Sequence, residues 1–143
     1  MSEVVATEEF DLSAEALWGL LGDFGDMNKW AGTSAGKCYA EGTGIGALRK
    51  IELPDGREIV DRLEEESEFS YTYSIVSSPL PFSYYRATMS VSPLDGGRSR
   101  LTWRGVFEAK GLSEQEATAF TENMYAQGIA LMRSTIGEQK SAT

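Results

Sequence analysis

The chain has 143 residues, enough for one domain with a core and a modest cavity and too few for two comfortable domains. Its 22 acidic residues against 13 basic ones leave a formal charge of −9, which repels phosphate and argues against nucleic acid or an anionic membrane surface as a partner. With no histidine and one cysteine, Ser-His-Asp and Cys-His catalysis and an intrachain disulfide are excluded, and a zinc site is not expected.

A lone cysteine fits a reducing compartment, and Met1-Ser2-Glu3-Val4 lacks the basic and apolar regions of a signal peptide, so a cytoplasmic location is expected. No stretch approaches about 18 consecutive apolar residues, so no membrane insertion is expected. Val4 to Phe10 alternates loosely and reads as a strand. Ser13 offers a helix N-cap, Glu15 sits in the first turn, and Leu17, Leu20, Leu21 and Phe24 recur at helical spacing, which predicts a short amphipathic helix over 13–21. Phe24 to Trp30 reads as a second short helix after Gly22 and Gly25.

From 34 to 109 the pattern is strand after strand, near 34–41, 46–53, 57–66, 69–77, 83–93 and 98–109, each bounded by turn residues. Ser113 with Glu116 three residues on forms a capping box for a last helix of about 24 residues. Its inner face is expected to carry Ala117, Phe120, Met124, Gly128, Leu131 and Thr135, with Gly137 as its stop. The order is α+β: one strand, two short helices, six strands and a long helix in a single domain over 1–143. A curved sheet covered by one helix leaves room for a cavity between them.

One turn sets the register that matters. In Leu53-Pro54-Asp55-Gly56-Arg57, Pro presets φ and Gly takes a left-handed position, so Leu53 pairs with Arg57. Counting back, Ile51 faces Ile59 on the inner face and Arg49 faces Asp61 beside them. An inward charge pair is costly unless matched. It is either a satisfied structural ion pair or the polar anchor of a pocket, and the residues alone leave both open. The same alternation turns Tyr71, Tyr73, Tyr85, Met89, Trp103 and Phe107 inward and Arg86, Thr88, Arg100 and Arg104 outward. Trp103 and Phe107 read as core; Tyr73 and Tyr85 read as pocket, where their hydroxyls need partners.

Three further signals are set aside. Gly42-Thr43-Gly44-Ile45-Gly46-Ala47 matches a dinucleotide fingerprint but runs into a strand rather than a helix, so it reads as a loop at the pocket mouth. Glu64-Glu65-Glu66 with Glu68 reads as a solvated hairpin end. Cys38 reads as a small buried hydrophobe.

The segments Asp23 to Trp30, Gly44 to Arg49, Leu53 to Gly56, Asp61-Arg62-Leu63, Tyr71 to Ile75, Pro79-Leu80-Pro81 and Tyr85 to Thr88 together resemble the polyketide cyclase/dehydrase branch of the SRPBCC (START/Bet v-type) superfamily, across Val4 to Ile136. The resemblance implies the helix-grip fold: seven curved antiparallel strands wrapped on a long C-terminal helix around a ligand cavity. It extends to lachrymatory-factor-synthase-like proteins, which implies Arg49, Asp61, Tyr73 and Tyr85 as catalytic positions. Asp61 stands where those proteins carry Glu, one methylene longer. Trp30, Ile51, Ile59, Tyr71, Met89, Trp103, Phe120 and Met124 are the expected ligand-binding set. The expected partner is a small, largely apolar molecule, held with no cofactor and no metal. Either Asp61 works on it as acid or base, with Arg49 as oxyanion or carboxylate anchor in a cyclase, dehydratase or isomerase, or the protein carries or senses it without turnover. Neither reading sets an oligomeric state.

Overall fold

A computed structural model describes residues 1–32 and 36–141, with side chains up to 137. Strand β1 spans Ser2–Phe10, helix α1 Ala14–Leu21 and the one-turn helix α2 Asn28–Ala31. Strands β2 to β7 follow at Lys37–Glu41, Leu48–Glu52, Glu58–Ser67, Ser70–Ser77, Phe82–Leu94 and Arg98–Ala109, and helix α3 at Glu114–Ser141. Among the described residues these make one antiparallel seven-stranded sheet in the order β1-β7-β6-β5-β4-β3-β2, the helix-grip arrangement expected from the sequence. Of the strand expected over 34–41, positions 34 and 35 lie outside the described residues.

The helix starts follow their capping residues. Ser13 Oγ accepts from the Ala16 amide at 3.1 Å. At α3 the capping box closes both ways: the Glu116 amide donates to Ser113 Oγ and the Ser113 amide to Glu116 Oε1, each at 3.1 Å. Leu17 and Leu21 of α1 are fully buried with Phe10, each worth about 1.5–3 kcal/mol of burial. The second helix is shorter than expected. Only one turn forms before Gly32, and Asn28 then ties it to the sheet, donating to the carbonyls of Gly32 and Gly36 and accepting from the Cys38 amide at 3.0 Å.

Helix α3 crosses the concave face, and toward its C-terminal end two side chains pin it. Arg133 donates to Glu8 Oε2 and the Glu9 carbonyl, both at 2.7 Å, and lies over the Phe10 ring. Thr135 donates to the Trp30 carbonyl at 2.8 Å, which fixes α2 against α3. The helix runs past Gly137 to Ser141, so that glycine does not stop it; a mid-helix glycine costs only about 1 kcal/mol.

The inner face of α3 is as expected at Ala117, Met124, Gly128 and Leu131, which are buried or line the cavity, and it also takes in Thr121, Tyr125 and Met132. Its fully buried positions are Ala117, Thr121, Tyr125 and Met132, whereas Phe120 is 37% exposed on the flank, edge-on to Phe82 at 5.9 Å. Thr121 and Tyr125 can be buried because their hydroxyls are satisfied, Thr121 by the Ala117 carbonyl and Tyr125 by Tyr85. Two glycines admit this packing. A Cβ on Gly105 of β7 would lie 2.1 Å from Tyr125 Oη, and one on Gly128 would lie 2.8 Å from the Trp103 ring.

The close approach at Gly105 is testable. Gly105→Ala is expected to destabilise the fold by about 1–3 kcal/mol through overpacking. That lowers the thermal midpoint by about 2–4 °C per kcal/mol. Adding Tyr125→Phe should recover part of the loss, because the atom in conflict is the hydroxyl. Thermal unfolding followed by circular dichroism checks both.

Candidate functional site

The β3–β4 hairpin carries the polar centre. Gly56 takes φ 86°, the Gly56 amide reaches the Leu53 carbonyl at 2.9 Å and the Leu53 amide the Arg57 carbonyl at 2.8 Å. The turn therefore closes with the loop length the Pro-Asp-Gly pattern demands, and Ile51 pairs with Ile59 and Arg49 with Asp61. Two register shifts in the β4–β5 ladder, one between Val60 and Asp61 and one between Leu63 and Glu65, bend the sheet beside Asp61.

Arg49 and Asp61 are 3% and 2% exposed. Arg49 donates to the same oxygen, Asp61 Oδ2, through Nε at 3.1 Å and Nη2 at 2.8 Å. Its Nη1 donates to the Phe24 carbonyl at 3.3 Å and the Tyr71 hydroxyl at 3.4 Å. The guanidinium carbon lies 4.5 Å from the centre of the Phe24 ring and 5.0 Å from that of Tyr73. Asp61 Oδ1, also buried, has no hydrogen-bond partner. Burial works against the Arg49 charge, but the facing carboxylate holds it above its ordinary range. Burial lifts the Asp61 carboxyl above its usual 3.8, and Arg49 opposes that rise.

A hydroxyl chain runs beside the pair. Trp103 Nε1 donates to Tyr73 Oη at 3.2 Å; Tyr73 Oη lies 3.4 Å from Tyr85 Oη, which lies 2.5 Å from Tyr125 Oη. The Tyr125 ring stacks on Trp103 at 4.2 Å. Burial raises all three tyrosines above their usual value of 10, so they serve as neutral donors and acceptors and not as bases at neutral pH. Tyr125 was not singled out from the sequence. The signal that finds it is the stripe 117, 121, 125, which skips the larger apolar Phe120.

These groups border a cavity of about 330 Å³ between α3 and strands β3 to β7. Arg49, Asp61, Tyr73 and Tyr85 all line it. So do Trp30, Ile51, Ile59, Met89, Trp103 and Met124. Two expected ligand contacts fall elsewhere. Tyr71 stands behind the ion pair, where its hydroxyl meets Arg49 and Met89 Sδ, because its ring is drawn into the cluster with Trp18 and Phe24. Phe120 sits on the helix flank for the reason given above. Half-buried Leu53, Ile59 and Leu80, with exposed Gln127, form the rim; Gln127 was also not foreseen. The Gly42–Ala47 loop is not at this mouth. It borders a separate groove with Gly22 to Gly25, Leu63 and Glu66. Burial pushes the Cys38 thiol up, which fits its reading as packing. Among the described residues no cluster of acids and cysteine is placed to hold a metal ion, and no helix is long and apolar enough to cross a membrane.

The model of a family described as polyketide cyclase/dehydrase and lipid transport matches residues 1–137. Among solved structures, the chain is similar to the protein XoxI from Bacillus cereus, at 29% identity over 97% of this chain and 99% of that one, with a TM-score of 0.83. A START superfamily protein from Mycobacterium smegmatis shares the fold at 13% identity, over 96% and 98% of the two chains and with a TM-score of 0.80. Norcoclaurine synthase from Thalictrum flavum shares it at 16% identity, over 94% and 86%, with a TM-score of 0.71. No curated protein sequence matches the chain.

Opposed burial and pairing at Asp61 give a stability prediction with a definite sign. A carboxyl that holds its proton more firmly when folded favours the native state at low pH, and that advantage is lost as pH rises through its folded value. Arg49→Met removes the charge that opposes this, so it should cost about 3–5 kcal/mol at neutral pH and clearly less near pH 4, where Asp61 keeps its proton. Urea unfolding at the two pH values measures the difference; equal losses at both would contradict the assignment.

Proposed function

The chain belongs to the polyketide cyclase/dehydrase and lipid transport family of the SRPBCC superfamily, and from that premise we propose that its cavity binds a small apolar molecule on which Asp61 acts as general acid and base. One observation carries the reading. Asp61 is a buried carboxylate in the wall of an apolar cavity, with one oxygen held by Arg49 and the other without a partner. A carboxylate in that state is oriented, poorly solvated and has a lone pair to use.

The chemistry it suits is proton transfer next to a carbonyl. Asp61 takes a proton from the carbon beside the carbonyl. The Tyr73 hydroxyl, backed by Tyr85, Tyr125 and the Trp103 N–H, then donates to the enolate oxygen that develops. In a dehydration the carbon–oxygen bond of a β-hydroxyl breaks, and the proton on Asp61 leaves with that oxygen as water. In a cyclisation the enolate carbon attacks a second carbonyl and the proton goes to the new alkoxide. The step closes with the chain's own groups. Norcoclaurine synthase, an enzyme by its name, shows only that this fold can house catalysis.

The test uses β-hydroxyketones of about eight to twelve carbon atoms, sized to the cavity, with formation of the conjugated enone followed by absorbance. Asp61→Asn should lower kcat by about 10²–10⁴-fold while a neutral apolar probe still binds. The rate should fall towards acid pH with a midpoint above 3.8, because the base must be ionised and its carboxyl is raised. Wild-type protein that binds the probe but turns over none of these ketones, or an Asp61→Asn variant altered only in affinity, would leave a carrier or sensor as the function.

A further inference from the structure

We infer that the cavity selects uncharged ligands bearing a hydroxyl or other hydrogen-bond donor and discriminates against carboxylates. The inference rests on the cavity-binding reading above and sets the ligand's chemical class.

Its basis is the state of Arg49 and Asp61, the only two charged residues among the described residues lining the cavity. They face each other at 2.8 Å, so the wall brings no net charge to a ligand. Arg49 is spent within the protein. Two of its N–H groups go to Asp61 Oδ2, one to the Phe24 carbonyl and one to the Tyr71 hydroxyl, and a guanidinium has five in all. The single N–H left on Nη2 cannot form the two-pronged contact by which arginine holds a carboxylate. The Phe24 and Tyr73 rings lie against the group as well. Two-pronged anchoring of a carboxylate by Arg49, a form of one of the roles expected from the sequence, would therefore require breaking the ion pair.

The unsatisfied atoms in the wall point the same way. Asp61 Oδ1 and Trp30 Nε1 are buried without partners, and both residues line the cavity. One is an acceptor and the other a donor. Both atoms are covered by neighbouring groups, so a ligand hydroxyl reaches the first, and a ligand oxygen the second, only with a small shift of the side chain. A carboxylate can only accept, so against Asp61 it brings a second negative charge into an apolar space with no free cation. The volume fits a short amphiphile: at about 30 Å³ per water-sized group, 330 Å³ holds a molecule of about a dozen non-hydrogen atoms.

Titration of the protein with 1-octanol, 2-octanone and octanoate at neutral pH, followed by calorimetry and by the fluorescence of Trp30 and Trp103, tests this. The expected order is 1-octanol tightest, with octanoate weaker by about tenfold or more. Asp61→Asn leaves Arg49 without its counter-charge and should reverse the preference, raising octanoate affinity above that of 1-octanol. Octanoate binding to the wild type as tightly as 1-octanol overturns the inference. So does a folded Asp61→Asn variant whose preference is unchanged; if that variant does not fold, the wild-type ratio decides alone. If none of the three probes binds, the cavity-binding reading itself falls, an outcome distinct from the wrong order of affinities.

Discussion

Two opposite charges taken out of water at the same depth govern this structure. Removing either partner of a buried pair leaves a charge that the surroundings cannot solvate, so everything near Arg49 and Asp61 is arranged to keep them matched. The three-residue loop at Pro54-Asp55-Gly56 sets the register that opposes them. The segment between α1 and α2 supplies the Phe24 carbonyl and ring, and β5 supplies Tyr71 from behind and Tyr73 from the side. The pair is thus a structural commitment shared by four parts of the chain. Yet the match is incomplete, since both Arg49 bonds fall on one oxygen. Asp61 lines the cavity, and its Oδ1 is buried without a hydrogen-bond partner.

The second layer is built to hold hydroxyls away from water without wasting them. Tyr73, Tyr85 and Tyr125 come from β5, β6 and α3, and their oxygens meet only because Gly105 gives up a side chain under Tyr125 and Gly128 gives one up over Trp103. The Trp103 N–H can only donate, so it fixes Tyr73 Oη as an acceptor and frees the Tyr73 proton either for Tyr85 or for a ligand. Hydrogen bonds in such a chain reinforce one another in a low-dielectric interior. Helix α3 is therefore more than a lid on the sheet, because it delivers one end of the polar chain.

Much of this was legible before the structure. Ser13, Ser113 with Glu116, and the Pro54 turn are local signals whose physics is complete within a few residues, and each formed as read. The opposition of Arg49 and Asp61 followed from one such signal. What escaped was decided by packing across distant segments. Phe120 is the more apolar choice for the inner face of α3, but Tyr125 takes the centre because Tyr85 and Gly105 receive its hydroxyl there, and neither can be seen from the helix alone. Tyr71 shares a strand face with Tyr73, yet aromatic neighbours on α1 and beyond draw it behind the ion pair. The irregularities beside Asp61 and Leu63 leave no mark in an alternating pattern.

The central claim is that Asp61 Oδ1 is the atom a ligand meets, while Arg49 stays on Oδ2. A crystal structure of the protein with 1-octanol bound tests it directly. The account predicts the alcohol oxygen within about 3 Å of Asp61 Oδ1, with both Arg49 contacts to Oδ2 intact. An alcohol seated away from Asp61, or an Arg49 turned from the carboxylate onto the ligand, would contradict it.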